Sequence, residues 1–170
     1  MHPPRTRRNA VRTALVVLTA LFTLLMAGIP AAAAPIGYET EALAEDYCTL
    51  YSTAGDAAWA EIAVEPTVSF SGKAWTTFFM DGRPCLHVEP QPRHLEFVAY
   101  DVKGVPLDIE RMAVPHRDAS YEYAFSLVAD ETTSIAFVSV GVCRTEPVTG
   151  NGEPSANCDG LLFIAPPVEG

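Results

Sequence analysis

The sequence predicts an all-β chain: a small, disulfide-stapled antiparallel β-sandwich of the immunoglobulin or fibronectin kind, with a small β-barrel or jelly roll as the alternative architecture. Three observations predict it. Apolar residues recur with a period near two from Tyr47 onward. Turn-forming residues punctuate those runs at short, regular intervals. Amphipathic helical spacing is almost absent, and four cysteines supply two cross-links.

The runs follow one another in order. Leu95, Phe97 and Ala99 alternate with His94 and Glu96. Val105, Leu107 and Ile109 alternate with Pro106, Asp108 and Glu110, which predicts one buried and one wet face. Tyr121, Tyr123, Phe125 and Leu127 line one face of the next run. Ile135 and Phe137 oppose Ala136, Val138, Val140 and Val142, so this strand is apolar on both faces and is expected at the centre of a sheet. Leu161 to Ile164 form a last short strand, ended by Pro166 and Pro167.

Turns fall between these runs. Asp81-Gly82 suits a type I′ hairpin, whose central residues need positive φ. Asp101 to Gly104 and Asp130-Glu131 link further pairs of runs. Pro90 and Pro92 mark a crossing at a sheet edge, because proline cannot donate into a ladder. Trp59 and Trp75 are candidates for the buried core aromatic.

Ahead of the sandwich stands a different kind of sequence. Arg5, Arg7, Arg8 and Arg12 form a basic head, residues 14–26 are almost wholly apolar, and Gly28, Pro30 and Ala31 to Ala34 follow. That order is the secretory signal pattern, here of bacterial type, with cleavage expected after Ala33. The apolar run is shorter than the roughly 20 residues a membrane span requires, so no span is expected after cleavage. Thr6-Arg7-Arg8 carries a faint twin-arginine signature. The chain therefore divides into a signal peptide (1–33), an arm that is flexible or a short helix (34–46), and the sandwich (47–170), with secretion to the cell exterior or wall as the destination.

Of the four cysteines, Cys48 with Cys85 and Cys143 with Cys158 each close a local loop, and this pairing is expected. The chain-entropy model gives about 3 kcal/mol for the shorter loop and nearly 4 for the longer. No two cysteines have the close spacing of a structural zinc site. All 21 acidic residues lie beyond the leader, so the mature chain is more negative than the −10 of the whole. That balance opposes binding to nucleic acid or to an anionic membrane, both of which need clustered Lys and Arg.

Candidate chemistry is sparse. His87 with Glu89, and His94 with Glu96, are i, i+2 pairs that share a strand face and could ligate zinc or copper if the two segments met. Ser120, Ser126, Ser134 and Ser139 could act with His87, His94 or His116, but none sits in a diagnostic nucleophile frame. Glu146, Asn151, Glu153, Asn157 and Asp159 offer hard oxygens for calcium in the 145–159 loop, without the register of a dedicated calcium loop. Asp108 and Glu110 read as a solvated edge rather than a glycosidase pair. Arg111 to Val114 and Gly82 to Cys85 are segments that could face a protease. The tyrosines at 38, 47, 51, 100, 121 and 123 could form a binding surface, although Tyr121 and Tyr123 are expected in the core with Phe125. No catalytic, cofactor or metal residue is assigned. The expected function is a non-enzymatic extracellular binding or surface-associated module for a protein or polysaccharide, with a protease inhibitor and a small hydrolase as alternatives.

Overall fold

The computed structural model describes residues 34–60, 65–79, 84–145 and 153–167. Its elements are β1 (Ile36–Leu43), β2 (Thr49–Trp59), β3 (Thr67–Phe78), β4 (Arg93–Tyr100), β5 (Pro106–Ala113), β6 (Ser120–Val128), β7 (Phe137–Arg144) and β8 (Cys158–Ile164). Every strand pairing is antiparallel. The strands form two four-stranded sheets, ordered β1-β2-β3-β6 and β5-β4-β7-β8, and no helix occurs among the described residues. The predicted β-sandwich is the observed fold.

The core lies between the sheets. Leu95, Phe97 and Ala99 on β4 and Val138, Val140 and Val142 on β7 are fully buried, as strict alternation on these central strands requires. Val68, Phe70 and Ala74 on β3, with Tyr123 and Leu127 on β6, close over them. Phe97 is the hub. Its ring lies 5.1 Å from that of Phe70, 5.5 Å from Tyr123, 4.9 Å from Phe125 and 6.3 Å from Tyr38, all edge to face. Such contacts add about 0.5–1.5 kcal/mol each beyond the apolar area they bury.

Residues 34–46, expected as an arm or a short helix, instead contain β1. Tyr38, Thr40 and Ala42 point inward while Glu39 and Glu41 point out. The alternation is real, but two of its inward residues are small or polar, so it carries little hydrophobic contrast. The sandwich therefore starts at Ile36 rather than at Tyr47. Trp59 packs against the core, whereas Trp75 does not enter it: it pairs in register with Ser52 and Ser120, on the outer face of the first sheet. The expected alternation of β5 is broken by a register shift opposite Ala99 and Tyr100. Leu107 reaches the core, but Ile109 pairs with Val98 on the outer face.

Both open sides of the sandwich are tied. On one, the Thr40 hydroxyl donates to the Gly160 carbonyl. Gly160 has φ of +59°, and a Cβ there would overlap the Glu41 backbone, so this bend needs glycine. On the other, the Tyr121 hydroxyl donates to the Ala113 carbonyl at 2.7 Å, and the Val128 N–H donates to Asp108 Oδ2 at 2.9 Å. The Asp101–Val105 hairpin closes as its sequence predicts, with Asp101 Oδ1 accepting from the N–H groups of Lys103 and Val105 at 2.8 Å.

The cysteines pair as expected. Cys48–Cys85 ties the turn before β2 to the segment before β4, and Cys143–Cys158 joins directly opposed residues of β7 and β8. The leader and the Asp81-Gly82 turn lie outside the described residues.

Candidate functional site

The outer face of the second sheet concentrates the chemistry of the chain. Residues alternate across a strand, so β4 turns His94, Glu96, Val98 and Tyr100 away from the core. Register then fixes their neighbours. Glu96 lies between Arg111 and Gly141, Val98 between Ile109 and Ser139, and Tyr100 beside Phe137. One end of this face is polar, and the other is aromatic.

At the polar end Glu96 is buried, with 3% of its surface exposed. Its carboxylate accepts from Arg111 Nε at 2.6 Å, from the Ser155 N–H at 2.9 Å and from the Ser155 hydroxyl at 2.8 Å. His94 Nε2 lies 3.6 Å from the same carboxylate and 3.2 Å from the Ser155 hydroxyl, while His94 Nδ1 meets the Thr145 hydroxyl at 3.2 Å. Arg111 also donates to the Glu153 carbonyl at 2.5 Å. Burial alone would raise the Glu96 pKa. Interactions with His94, Ser155 and Arg111 outweigh it and bring the carboxyl down to about 2.

This geometry determines what the cluster can do. His94 and Glu96 do share a face, but His87 and Glu89 lie exposed in the segment before β4, and no described metal-type group includes them. The two segments do not meet, so the four residues do not converge as a ligand set. Cys143 brings a sulfur within 4.8 Å of His94 and Glu96, yet that sulfur is bonded to Cys158. The cluster also unites a serine, a histidine and a carboxylate, through Ser155, which the sequence had not singled out. A nucleophilic relay places the carboxylate on the imidazole Nδ1. Here the carboxylate holds the hydroxyl, and Nδ1 is given to Thr145. The arrangement clamps residues 153–158 onto β4.

The other candidate residues are placed apart. Ser126 bonds to Ser69 at 3.0 Å on the exposed face of the first sheet, and buried Ser139 faces the Tyr100 hydroxyl at 3.5 Å. Ser120 opens β6 in register with Trp75, and Ser134 precedes β7. His116 lies between β5 and β6, where its carbonyl accepts from Ala119. Of the calcium candidates, Glu146 and Asn151 lie outside the described residues. Asp159 is paired with Arg93 at 2.5 Å, and Glu153 and Asn157 use their backbone carbonyls toward Arg111 and Arg144. Arg111 to Ala113 form part of β5 rather than a loop, and Gly82 and Arg83 lie outside the described residues. Tyr38, Tyr51 and Tyr123 are core residues.

At the aromatic end Tyr100, Phe137 and Phe163 form a row across β4, β7 and β8. Tyr100 and Phe137 stack at 4.9 Å with 15° between planes, and Phe163 meets Phe137 edge to face at 5.9 Å. Phe163 is 60% exposed and Leu161, beside it on β8, is 48% exposed. Leu161 lies over Gly141, where a Cβ would come within 3.0 Å of its Cδ1. Sequence reasoning missed this row, although the signal was present in the apolar residues on both faces of β7.

No protein-family model, curated protein or solved structure matches this chain. Among the described residues no helix is long and apolar enough to cross a membrane.

Proposed function

We propose that this protein is a secreted, non-enzymatic binding module that takes a protein partner on the outer face of β5-β4-β7-β8. The observation that carries the reading is the row Tyr100–Phe137–Phe163, half-buried at Tyr100 and Phe137 and exposed at Phe163, with exposed Leu161 beside it. Aromatic residues framed by a polar rim are what protein interfaces concentrate, and here Arg111, exposed on β5, stands at the polar end of the same face. A sugar ring stacks on an open aromatic face. In this row each ring lies against the next, so it favours side chains of a protein over a polysaccharide. Export is supported by the basic and apolar order of residues 1–33 and by two bridges that suit an oxidising exterior. An immunoglobulin-like topology is supported by the strand order: with β1 set aside, three strands β2-β3-β6 face four strands β5-β4-β7-β8.

The test is retention of proteins by the immobilised, disulfide-intact chain from the extracellular and surface fraction of the producing cells, beside a Leu161→Ser/Phe163→Ser variant. The expected result is a protein bound by the parent and lost by the variant. Equal retention by both, or binding of the parent only to insoluble polysaccharide, overturns the reading.

A further inference from the structure

Strand register gathers four metal-type ligands at the polar end of the second sheet. On its outer face His94 of β4 pairs with Cys143 of β7, and Cys143 pairs with Cys158 of β8. A single cross-strand row therefore reads His-Cys-Cys, and Glu96 is the next outward residue of β4. A ring nitrogen of His94, a carboxylate oxygen of Glu96 and the Cys143 sulfur all lie within 4.8 Å of one another, and the Cys158 sulfur is bonded to that of Cys143. His94 Nε2 stands 3.6 Å from Glu96 Oε2, and Cys143 Sγ stands 4.0 Å from Glu96 Oε1. Around a tetrahedral zinc ion with bonds of about 2.0–2.3 Å, neighbouring ligand atoms stand roughly 3.3–3.8 Å apart.

We propose that the dithiol form of this protein binds one zinc ion through His94, Glu96, Cys143 and Cys158, and that the metal and the Cys143–Cys158 bridge are alternative occupants of this site. In the bridged form the two sulfurs are bonded to each other and neither is a thiolate. The bridge opens when a dithiol reductant gives it two electrons and two protons and closes to its own disulfide. Cys143 is wholly buried and Cys158 half-buried, so the reductant meets the bridge on the Cys158 side. The ladders β4–β7 and β7–β8 keep the row in register without the bridge. Zinc then displaces both thiol protons, and two thiolates with an imidazole select it over hard cations such as calcium and magnesium. The groups that orient such ligands are in place. His94 Nδ1 meets the Thr145 hydroxyl at 3.2 Å, which leaves Nε2 for the metal. Arg111 Nε and the Ser155 hydroxyl hold Glu96 Oε2, while Oε1 accepts only the Ser155 N–H among the described residues. Two thiolates and a carboxylate exceed the charge of zinc by one, and the Arg111 guanidinium balances it. The site is separate from the Tyr100–Phe137–Phe163 row, and the two proposals are independent.

The experiment titrates the full chain with Co²⁺ and then Zn²⁺ after reduction by a phosphine, which takes its oxygen from water and offers the metal no thiol. Expected are one Co²⁺ per chain with the visible bands of a tetrahedral site and thiolate-to-metal charge transfer, displacement of cobalt by zinc, and no binding by the oxidised chain. Bound zinc should protect Cys143 and Cys158 from alkylation, mapped by mass spectrometry, and leave Cys48 and Cys85 reactive. His94→Ala should weaken binding about 100-fold and Thr145→Val about 10-fold. Cys158→Ser retains the Cys48–Cys85 bridge and needs no reductant. It should bind Co²⁺ through His94, Glu96 and Cys143 with the charge transfer of one thiolate, and it carries the test where the reduced chain unfolds. Absence of cobalt binding by Cys158→Ser, protection of Cys48 and Cys85 instead, equal binding by the oxidised chain, or undiminished affinity in His94→Ala overturns the proposal.

Discussion

The hydroxyls of Tyr38 and Tyr123 meet at 2.5 Å, although the two residues stand on opposite edge strands of the first sheet. The register explains how. Tyr38 pairs with Gly55, Gly55 with Gly72, and Gly72 with Tyr123, so one row across four strands reads Tyr-Gly-Gly-Tyr. The rings lie over the two glycines and touch in the middle, where any side chain would stand in the way. The Thr53 hydroxyl completes the network at 2.6 Å from Tyr123. Burial pushes both phenol pKa values up, so the network is neutral throughout the ordinary pH range.

Alanine in place of Gly72 should therefore destabilise the protein in a way that a simple loss of backbone freedom would not. A Cβ there would stand 2.5 Å from the Ala54 carbonyl oxygen, 2.7 Å from the Tyr123 hydroxyl and 2.8 Å from its ring carbon Cζ. Overpacking of this kind costs about 1–3 kcal/mol, and the urea midpoint should fall accordingly. Tyr123→Phe should cost a similar amount, about 1–3 kcal/mol, because it strands the buried hydroxyl of Tyr38, while Thr53 keeps its bond to the Lys73 carbonyl at 3.2 Å. In the Gly72→Ala/Tyr123→Phe double variant one of the three contacts that the new methyl crowds, the phenol oxygen, is gone, so the combined loss should be less than the sum. Strict additivity in the urea titrations would contradict the stacked row.

A second prediction concerns acid. The Glu96 carboxyl is lowered from 4.5 to about 2 in the folded protein. A carboxylate with a depressed folded pKa contributes stability that is complete above its unfolded value and is lost as pH falls through the folded one. The contribution should thus be intact at neutral pH and disappear between about pH 4.5 and about pH 2, amounting to roughly 3 kcal/mol. The carboxyls of Glu45 and Asp46 are also lowered, the first chiefly by backbone donors and Arg93 against its burial, the second by Thr49 and Cys48. They add to the same acid slope. Urea unfolding from pH 7 to pH 2 should show Glu96→Gln less stable at neutral pH, with the two curves converging near pH 2. Parallel curves would mean that Glu96 gains nothing from its partners.

The fold was legible in the sequence wherever side-chain size agreed with alternation. Leu95-Phe97-Ala99 and Val138-Val140-Val142 carry a hydrophobic contrast strong enough to fix strand, face and central position together. β1 was not legible, because Tyr38, Thr40 and Ala42 bury a hydroxyl network and a methyl rather than large apolar surface. The cysteine pairing was legible from loop length alone. The functional face was only half legible. His94 and Glu96 announce a shared face by their spacing, but Ser155 and Arg111 join them through a loop and a neighbouring strand, and such meetings depend on register. The aromatic row depends on register too. Tyr100, Phe137 and Phe163 are far apart in sequence, and only the order β4-β7-β8 sets them side by side.

Arg93 should prove the most sensitive charged residue after Glu96. Its side chain is 1% exposed and bridges Glu45 at 2.8 Å and Asp159 at 2.5 Å, which joins the β1–β2 turn to β8 through the first residue of β4. Tyr51 lies beneath it, with the guanidinium carbon 6.0 Å from the ring centre. Arg93→Met keeps much of the volume but leaves Asp159 without its cation and Glu45 with Arg144 alone, whose Nε lies 3.5 Å away. Because Glu45 is 28% and Asp159 52% exposed, solvent offsets part of the loss. The expected destabilisation is about 2 kcal/mol, below the 3–5 kcal/mol of a fully buried pair. Arg93→Lys should recover little of it, since one ammonium cannot reproduce the two-sided fork. Full stability of the lysine variant in urea would show that charge alone, without geometry, is what this position requires.

The two disulfides should differ in what their removal does. The Cys48–Cys85 bridge spans 37 residues and the Cys143–Cys158 bridge 15, so loop entropy assigns nearly 4 and about 3 kcal/mol respectively. Their structural surroundings widen the difference. Cys143 and Cys158 oppose each other within a hydrogen-bonded ladder, and Glu96 already clamps the adjoining segment through Ser155. Without that bridge the β7–β8 pairing still holds the chain in place. Cys85 has no ladder, and beyond its sulfur only the Leu86 N–H bond to Asp46 fastens that end among the described residues. Replacing Cys143 and Cys158 by serine should therefore lower the melting temperature while leaving residues 84–92 resistant to dilute protease. Replacing Cys48 and Cys85 should lower it further and open that segment to cutting at temperatures where the rest of the sandwich is intact. Limited proteolysis read by mass spectrometry distinguishes the two. First cleavage in residues 84–92 of the Cys143/Cys158 variant would show that the ladder, and not the Cys48–Cys85 bridge, is what holds that segment.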